Sequence, residues 1–419
     1  MYFSIKEITV HFLYNILTYI AGFHLKIIAL FHNKIKLGVQ GRSKTFEKLR
    51  DSIQENEKTI WFHCASLGEY EQGLPVFQEI KKMYPKHKIV LSFFSPSGFE
   101  IRKENSMADL VVYLPLDTKT NARKFLKLIH PDLTVFVKYE IWPNYLKELK
   151  LREVKTVLIS AIFRKDQSYF KSTGAFMRKS LTAFEHIFVQ NNSSKELLNK
   201  FDFNNVSISG DTRFDRVSSQ LELNNRLDFI ETFKQEKLCM VAGSTWPEDE
   251  AILVDYINSS TNDLKIIIAP HNIKSQHIKK LKESIHKTSV LFSDYENSDL
   301  VNSNVLILDT IGLLSMVYYY SNIAYIGGAL GKTGLHNTLE PAVFGVPIII
   351  GSHFNKFPEA IEMIANGGMF TISSIDDFTT ILDDFIDNPS KYQGIGNKNA
   401  EYIRKNQGAV IQIMDFLRT

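Results

Sequence analysis

The stretch A-Y-I-G-G-A-L-G-K-T-G-L-H-N-T-L-E-P-A-V-F-G-V-P-I-I-I-G spans residues 324–351 and decides the fold class of the chain. A short apolar strand is predicted to end at Ile326, and the glycine-spaced loop after it lets a ligand approach bare backbone. The pattern then predicts a helix with Asn337 or Thr338 at its N-cap, whose unpaired N–H groups would face an anion. Residues 346–350 predict a second buried strand. The stretch is therefore typical of a unit that holds a nucleotide by its phosphate and sugar.

Glu340 is the unusual residue of this stretch, because a carboxylate beside a phosphate site is unfavourable unless it has another task. Accepting hydrogen bonds from the two ribose hydroxyls of a nucleotide is such a task. Glycine-rich loops between strands and helices are also common where they bind nothing. On the mechanics of the stretch alone, ligand binding and a purely structural loop both remain open.

Length and composition indicate a soluble globular protein of two domains. The chain has 419 residues, of which 44% are hydrophobic and 23% are charged. Cys64 and Cys239 lie in apolar strand-like runs and are expected to be buried free thiols in a reducing compartment. No Cys/His cluster has metal-ligand spacing, and no cleavable signal pattern is recognised, so neither a metal site nor an exported precursor is expected.

The N-terminal segment is predicted to be an amphipathic helix followed by a basic segment. Apolar residues fall at positions 5, 8, 12, 16, 20, 23, 27 and 30, with polar residues on the other face. Residues 1–50 carry eight basic and two acidic side chains. An interfacial membrane helix is the favoured interpretation, with a membrane span and a helix packed on the core as alternatives. The basic segment 34–50 would be attracted to anionic lipid, unless it is an ordinary solvated run of charge.

Each half of the chain alternates buried strands with helices and places a turn after several strands. This alternation predicts an α/β protein with two doubly wound, Rossmann-like parallel-sheet domains that face each other across a cleft. The polar run 218–228 is the predicted boundary. The predicted segments are a membrane-associating region at 1–50, a first domain at 51–220, a second domain at 221–395, and a C-terminal helix at 396–419 that packs back on the first domain.

The residue sequence of the opening stretch is more specific for a family than its predicted structure is. Its run G-G-A-L-x-x-x-G-x-H-N-x-L-E-P-A resembles the nucleotide-binding signature of the 3-deoxy-D-manno-octulosonic acid (Kdo) transferases of lipopolysaccharide synthesis. Ala329, Leu335, Thr338 and Ser352 replace the family's Ser, Gly, Pro and Pro. Further motifs follow in the same order along nearly the whole chain. The resemblance implies the two-domain architecture of the GT-B glycosyltransferases, with the acceptor bound by the domain at 51–220 and the CMP-sugar bound by the domain at 221–395.

The resemblance implies catalytic roles for three residues of the first half. S-L-G-E around Glu69 is similar to the family's S-V-G-E, whose Glu is the general base, although the residues alone also allow a first-turn acid that complements a helix dipole. Glu140 matches the second carboxylate in E-x-W-P-N, a stabiliser of the transition state, or else it caps the helix opened by Pro143. Arg213, in G-D-T-R-F-D, stands at the family's Lys position and would offset charge on the reacting carboxylate or leaving phosphate.

The second half carries the motifs that the resemblance assigns to CMP-Kdo. S-T-W-P-E-D-E is similar to S-T-H-x-G-E-E, P-H-N stands where the family has P-R-H-P, and D-T-I-G-L-L matches D-T-x-G-E-L. The implied donor-binding residues are Ser244, Thr245, Pro270, His271, Ile311, Gly312, Leu313, His336, Asn337, Thr338, Leu339 and Glu340.

The resemblance implies transfer of Kdo from CMP-Kdo to a lipid A precursor, lipid IVA, with inversion. It places the protein at the cytoplasmic face of the inner membrane, as a peripheral or monotopic protein. It implies no metal, no cofactor and no nucleic-acid partner. Two alternatives remain: another glycosyltransferase or nucleotide-sugar epimerase of the same architecture, or an inactive membrane-bound nucleotide-binding module.

Overall fold

The computed structural model describes residues 5–104, 107–171 and 174–419, and for residues 5–8 it describes the backbone only. The first four residues of the predicted region 1–50, and the side chains of Ile5 and Ile8 in its apolar stripe, lie outside this description. The chain divides into two compact units. Unit 1 comprises Met1–Arg216 and Gly408–Thr419, and unit 2 comprises Val217–Gln407.

Unit 1 is a seven-stranded parallel sheet covered by helices. Its strands are β1 Thr59–Cys64, β2 Lys88–Phe93, β3 Leu110–Tyr113, β4 Pro131–Val137, β5 Lys155–Ala161, β6 His186–Val189 and β7 Val206–Ile208. They lie in the order β3-β2-β1-β4-β5-β6-β7. Its helices are α1 Ile5–Ile28, α2 Asn33–Ser52, α3 Leu67–Met83, α4 Pro96–Arg102, α5 Lys119–Ile129, α6 Pro143–Leu151, α7 Ala175–Leu181, α8 Asn192–Asn199 and α9 Thr212–Ser218, which crosses into unit 2.

Unit 2 repeats this plan. Its strands are β8 Cys239–Thr245, β9 Lys265–Pro270, β10 Ser289–Leu291, β11 Val305–Ile307, β12 Ile323–Ile326, β13 Ile348–Gly351 and β14 Met369–Ile372, in the order β10-β11-β9-β8-β12-β13-β14. Its helices are α10 Asp228–Lys234, α11 Pro247–Ser259, α12 Ser275–Ser284, α13 Leu314–Val317, α14 Leu339–Ala342, α15 Pro358–Ala365, α16 Ile375–Asp387 and α17 Pro389–Asn406, and α18 Ala409–Arg418 follows in unit 1. The prediction of two doubly wound parallel-sheet domains is confirmed; their facing across a cleft stays a prediction.

Strand β1 shows why the sheet of unit 1 is buried on both faces. Trp61 points into one core cluster, whereas Ile60 and Phe62 point into the other. Because side chains alternate along a strand, an apolar run without polar alternation needs helices on both sides. Cys64, at the end of β1, is a buried free thiol, as is Cys239 in β8, so the prediction for the two cysteines is confirmed.

The C-terminal segment 396–419 is divided between the two units. Residues 396–419 were predicted to pack together on the first domain, but α17 lies in unit 2 and only Gly408–Thr419 belongs to unit 1. The physical reason is local. The Asp215 carboxylate accepts the N–H groups of Gly408 and Ala409 over 2.9 and 3.1 Å, and Ile413, Met414 and Leu417 enter a core cluster of unit 1.

Helix α1 contacts unit 1 through its polar stripe. The Tyr14 hydroxyl donates to Asp117 Oδ2 over 2.6 Å, and Asn144 Nδ2 donates to Asn15 Oδ1 over 3.1 Å. His11 Nε2 lies 3.2 Å from Asn144 Oδ1. The face of α1 opposite the apolar stripe therefore meets the rest of unit 1.

The apolar stripe of α1 is consequently left on the surface. Phe12 and Phe23 are 64% and 63% exposed, and Phe31, just beyond the helix, is 85% exposed. A contiguous exposed apolar face of this kind marks an interaction site. Among the helices of residues 5–104, 107–171 and 174–419, none is both long enough and apolar enough to cross a bilayer.

Asp117 joins α1 to the start of α6. Besides the Tyr14 hydroxyl, its carboxylate accepts the backbone N–H groups of Asn144 and Tyr145, each over 3.0 Å. Burial raises the pKa of Asp117, and these hydrogen bonds counter part of that rise. Asp117 therefore caps α6, and Glu140 does not, so the alternative reading of Glu140 as the cap is wrong.

The basic segment 34–50 forms α2, and one of its cations is used for packing. Arg42 donates from Nε to the carbonyl of Leu114 over 3.1 Å and from its terminal nitrogen to the carbonyl of Phe94 over 2.5 Å. Its guanidinium also lies 4.3 Å from the centre of the Phe94 ring. Arg42 thus fastens α2 to the ends of two strands, while Lys34, Lys36 and Lys44 remain exposed.

Candidate active site

The two predicted carboxylates follow neighbouring strands of unit 1. Glu69 comes after β1 and Glu140 comes after β4, and these strands pair where the order of the sheet reverses. Ligands of doubly wound sheets bind at the carboxyl ends of the strands at this switch point. The topology therefore brings both carboxylates to the place where a ligand is expected; with His63 they are called the carboxylate site below.

Glu69 is buried in the first turn of α3. Its Oε2 accepts the N–H groups of Ala65 and Ser66 over 2.5 and 3.2 Å, which closes a capping box with Ser66. Burial first, and the charge of Glu140 second, raise the pKa of Glu69 to about 7, while the charge of Lys138 acts in the opposite direction. Glu69 is thus both a helix-capping acid and a carboxylate that takes up and releases a proton near neutral pH.

Glu140 is held by a chain of hydrogen bonds. Trp142 Nε1 donates to Glu140 Oε2 over 2.9 Å, and His63 Nε2 lies 3.3 Å from the same oxygen. The Trp61 indole, which can only donate, gives its N–H to Ser92 Oγ over 2.8 Å. The Ser92 hydroxyl and the Ser92 carbonyl lie 2.8 and 3.2 Å from His63 Nδ1, so Ser92 links His63 to Trp61. Side chains of β1 and β2 therefore orient this carboxylate.

Arg213 is paired with a carboxylate that the sequence analysis did not assign. Its Nε donates to Asp211 Oδ2 over 2.7 Å, and its backbone N–H donates to Asp211 Oδ1 over 2.9 Å. Gln72 Nε2 donates to the same Oδ1 over 2.6 Å. Because Gln72 lies one turn after Glu69 on α3, the cation is linked to the helix that carries Glu69. The charge of Arg213 is partly neutralised before any ligand arrives.

The glycine-rich loop lies at the switch point of unit 2, where β8 and β12 are neighbours. The Gly327 N–H donates to the Gly243 carbonyl over 3.0 Å, and a Cβ at Gly327 would lie 2.4 Å from the Ser244 oxygen. Ser244 itself has a φ of 54°, in the left-handed region that non-glycine residues adopt uncommonly. With Trp246 and His271, residues 327–340 are called the glycine-loop site below.

Asp249 holds this loop in place. Its Oδ2 accepts the N–H groups of Gly328 and Trp246 over 2.9 and 2.8 Å, and its Oδ1 accepts the Tyr325 hydroxyl over 2.6 Å. One buried carboxylate therefore joins β12, the glycine loop and the start of α11. The sequence analysis did not single out Asp249; its position among the first-turn acids after a strand was the available signal.

Trp246, His271 and His336 form a stacked cluster. The Trp246 and His271 ring centres are 4.5 Å apart, and those of His271 and His336 are 4.7 Å apart. Trp246 Nε1 donates to His336 Nε2 over 3.0 Å, so the proton of His336 is on Nδ1. Burial, and then the charge of His271, lower the pKa of His336 to about 4. His336 is therefore a neutral hydrogen-bond donor at physiological pH.

Replacing Trp246 with phenylalanine should change how ligand binding depends on pH. The variant keeps an aromatic ring beside His271 but removes the N–H that occupies His336 Nε2, so protonation of His336 is opposed less and its pKa should rise from about 4. Burial and the charge of His271 still hold this pKa below the ordinary value of about 6.5. Calorimetric titration with CMP should then show affinity that increases as pH falls below about 6.5, beyond any pH dependence of the wild type. The double variant W246F/H336N should lose that increase; if it does not, the effect has another source.

The segment 337–340 differs from its prediction. The predicted helix to Gly345 is only the four-residue α14, because Phe344 and Gly345 close tight turns and Gly345 has a φ of 71°. The aligned dipole expected at its start is therefore small. Asn337 Oδ1 accepts the Leu339 N–H over 3.2 Å, so of the two predicted caps Asn337 acts and Thr338 does not.

Two side chains of this segment have features that suit a ligand. Asn337 Nδ2 donates to Glu340 Oε1 over 3.0 Å, which orients the carboxylate predicted to bind ribose. The buried Thr338 hydroxyl has no hydrogen-bond partner within the described part of the chain. A buried hydroxyl without a partner is costly, and a ligand oxygen would satisfy it. Leu339 is buried and contributes packing only.

Thr245, Pro270 and residues 311–313 are the other residues predicted to bind the sugar donor. The Thr245 hydroxyl donates to Glu250 over 3.1 Å, and the buried Pro270 ends β9. Ile311, Gly312 and Leu313 follow β11, which β9 separates from β8. Ile311 and Gly312 are exposed, and Gly312 has a φ of 99°. Within the described residues, no hydrogen bond between side chains connects this loop to residues 336–340.

No group of three or more His, Cys, Asp or Glu side chains suited to a metal ion is found in residues 5–104, 107–171 and 174–419. The polar and charged groups of both sites are instead organised by hydrogen bonds to one another.

Comparisons with known proteins give a consistent family. Residues 39–216 match the family model described as 3-Deoxy-D-manno-octulosonic-acid transferase (kdotransferase). The 3-deoxy-D-manno-octulosonic acid transferase of Haemophilus influenzae is 27% identical over 372 residues, covering 86% of this chain and 86% of its own. The enzyme of that name from Aquifex aeolicus is 29% identical over 327 residues, covering 76% and 83%.

Solved structures agree on the fold. The UDP-GlcNAc 2-epimerase from Neisseria meningitidis bound to UDP-GlcNAc aligns over 86% of this chain and 100% of its own, with a TM-score of 0.59 and 16% sequence identity. At this identity the likeness concerns fold alone. With the match of the family model to unit 1 and relatives that align with most of the sequence, the chain is similar to the 3-deoxy-D-manno-octulosonic acid transferases over most of its length.

Proposed function

We propose that this chain transfers Kdo from CMP-Kdo to a hydroxyl group of a lipid A precursor, with lipid IVA as the acceptor. The observation that carries the proposal is Glu69, a buried carboxylate with a pKa of about 7, beside Glu140 at the switch point of unit 1. A base whose pKa matches the working pH is suited to taking a proton from an alcohol. The relatives named as 3-deoxy-D-manno-octulosonic acid transferases support the transferred sugar and the reaction type.

The reaction balances as a single displacement. The acceptor oxygen forms a bond to the anomeric carbon of Kdo while the bond from that carbon to the CMP phosphate breaks. The acceptor proton passes to Glu69, and CMP departs with the bonding electron pair, so the anomeric configuration is inverted. Glu140, held by Trp142 and His63, stabilises positive charge that develops on the sugar ring.

The glycine-loop site is the proposed binding site of CMP-Kdo. Glu340, oriented by Asn337, would accept the ribose hydroxyls, and the unpartnered Thr338 hydroxyl would donate to a donor oxygen. His336 presents a neutral N–H, and the main chain of 311–313 would meet the base. Arg213, although paired with Asp211, would offset negative charge on the reacting carboxylate or on the leaving phosphate.

The direct test is to incubate the purified protein with CMP-Kdo and lipid IVA in detergent and to identify the products by mass spectrometry. Addition of Kdo to lipid IVA, with release of CMP and only after addition of protein, is the expected result. Consumption of CMP-Kdo without a modified glycolipid would contradict the proposal. The number of Kdo residues added is read from the same spectrum.

The exposed apolar face of α1 is the proposed contact with the cytoplasmic leaflet of the inner membrane. The face carries Phe12 and Phe23, and Lys26, Lys34 and Lys36 are exposed near its C-terminal end. Apolar side chains beside lysines are the composition of helices that lie in a membrane interface. Such a contact would bring the protein to an acceptor that resides in the bilayer.

Charged substitutions on this face should abolish vesicle binding. In the variant F12D/F23D, two large apolar side chains no longer enter the bilayer, and the affinity for anionic vesicles should fall at least about tenfold in a sedimentation assay. The variant L221D/I411D, which changes exposed apolar residues outside α1, should bind like the wild type. Equal binding by both variants would exclude α1 as the contact.

A further inference from the structure

A groove on unit 1 is lined by cationic side chains that belong neither to the carboxylate site nor to the glycine-loop site. It runs between α5 and α6 and encloses about 470 Å³; its lining residues are Thr120, Arg123, Lys124, Lys127, Glu148 and Arg152. It is called the α5–α6 groove. Four cationic side chains thus surround a single carboxylate.

The hydrogen bonds of the groove leave most of its positive charge unbalanced. Arg123 Nε donates to Glu148 Oε1 over 2.8 Å, which accounts for the carboxylate. Lys124 lies 4.4 Å from the centre of the Phe46 ring, and Arg152 donates to the backbone carbonyl of Arg123 over 3.4 Å. Lys127 has no ion pair within the described residues. Like charges placed together raise the local positive potential, which attracts an anion.

The α5–α6 groove continues into an apolar groove along α1. This neighbouring groove encloses about 410 Å³, shares Thr120, and is lined on its α1 side by Thr18, Tyr19, Gly22, Phe23 and Lys26. More cations border α1: after burial, the charges of Lys147 and Lys119 lower the pKa of His11. An apolar surface thus passes directly into a basic one.

The basic end of this surface is distant from the carboxylate site. In a parallel sheet the covering helices run opposite to the strands, so the last turns of α5 and α6 lie at the edge away from the strand carboxyl ends. Lys127 is in the last turn of α5, and Arg152 directly follows α6. Helix α5 has 11 residues and is about 16 Å long, which separates its two ends by more than the width of a phosphate group.

We propose that the α5–α6 groove binds the phosphate headgroup of an anionic phospholipid of the bilayer, whose acyl chains run along the apolar groove of α1. A phospholipid joins a phosphate group to acyl chains, and on the protein the basic groove likewise adjoins the apolar groove. The occupied groove fixes the rotation of unit 1 on the membrane, because α1 alone would allow the protein to roll about the helix axis. The inference rests on the proposed membrane contact of α1, not on the identity of the sugar donor.

The test compares two triple variants that remove the same charge. In K124Q/K127Q/R152Q the groove loses three cations, and in K280Q/K398Q/R404Q three exposed cations are lost from unit 2. Sedimentation with vesicles of phosphatidylcholine alone, and of phosphatidylcholine mixed with phosphatidylglycerol, measures binding. The groove variant should lose on the order of 10²-fold affinity for the mixed vesicles only, whereas the control should resemble the wild type.

Other results would overturn the proposal. If both variants lose affinity equally, the effect is general electrostatics, and if neither does, the groove is not a binding site. If inorganic phosphate at the headgroup concentration displaces the wild type from the mixed vesicles, a bilayer headgroup is not specifically required. A short DNA duplex that binds the wild type as tightly as the vesicles, and is also lost in the groove variant, would show a general polyanion site.

Turnover of CMP-Kdo in detergent micelles keeps this proposal separate from the proposed function. The groove variant should retain wild-type turnover there, because Lys124, Lys127 and Arg152 lie outside the catalytic residues. Absent turnover in the wild type would refute the proposed reaction but leave the vesicle result standing. Lost turnover in the groove variant alone would mean that the groove serves the glycolipid acceptor.

Discussion

Replacing Glu69 with glutamine should lower kcat for transfer of Kdo to lipid IVA by about 10²- to 10⁴-fold, the contribution of a general base. Glutamine can still accept the N–H groups of Ala65 and Ser66, so the start of α3 should be retained. The wild-type rate should rise with pH through about 7 and level off above it, because only the ionised carboxylate accepts a proton. The residual rate of the variant should lack this titration.

Stability provides the control for this variant. Because burial raises the pKa of Glu69 from 4.5 to about 7, the folded protein favours the protonated acid, and stability is lost as pH rises through about 7. Glutamine resembles the protonated acid and does not ionise. At pH 8, E69Q should therefore unfold at the same temperature as the wild type or a higher one. Full activity of a well-folded E69Q would eliminate Glu69 as the base.

Replacing Gly328 with alanine should weaken both the fold of unit 2 and CMP binding. Gly328 has a φ of 96°, and a Cβ there would lie 2.1 Å from the backbone oxygen of Gly334. Backbone strain alone should reduce the free energy of unfolding by about 1–3 kcal/mol. The loop must also shift away from Asp249, so CMP affinity measured by calorimetry should fall by about tenfold or more.

Gly394→Ala is the matched control. Gly394 lies within α17, and a Cβ there meets nothing within 4 Å. Alanine in a helix interior is favoured over glycine by about 0.5–1 kcal/mol, so this variant should be slightly more stable and should bind CMP normally. If the Gly328 variant matches this control in both measurements, the glycine loop is not the tightly held element described here.

The strands were the most predictable part of the fold. The run T-I-W-F-H-C at 59–64 predicts a strand with the bounds that β1 has, because a continuous apolar run followed by a turn allows little else. Strands β10 and β14 were missed, since runs of three and four residues carry too little pattern. A terminal helix over 408–417 that packs on the first domain was predicted and is confirmed, but the segment was begun at 396 instead of Gly408, because the boundary depends on a contact between Asp215 and Gly408, far apart in sequence.

The sequence indicated the residues of the candidate sites better than it indicated the hydrogen bonds between them. A glutamate directly after a strand and a glycine turn could be read from the sequence, and the structure places Glu69 and Glu140 after two neighbouring strands. His63 could not be recognised, because a histidine inside an apolar strand looks like core. The roles of Trp246 and Asp249 depend on bonds to residues about 80 to 90 positions away, which spacing does not reveal.

The position of Asp117 has a practical consequence for anyone who wants a detergent-free preparation. Deleting the first helix to improve solubility would remove Tyr14, a hydrogen-bond partner of Asp117, and Asn15, a partner of Asn144. Asp117 and Asn144 are bonded to each other at the start of α6, where Asn144 lies four residues after Glu140. Such a truncated enzyme would report a damaged catalytic centre rather than the cost of losing lipid. Surface redesign of the outward phenylalanines, with the inward polar residues left intact, is the sounder route to a soluble form.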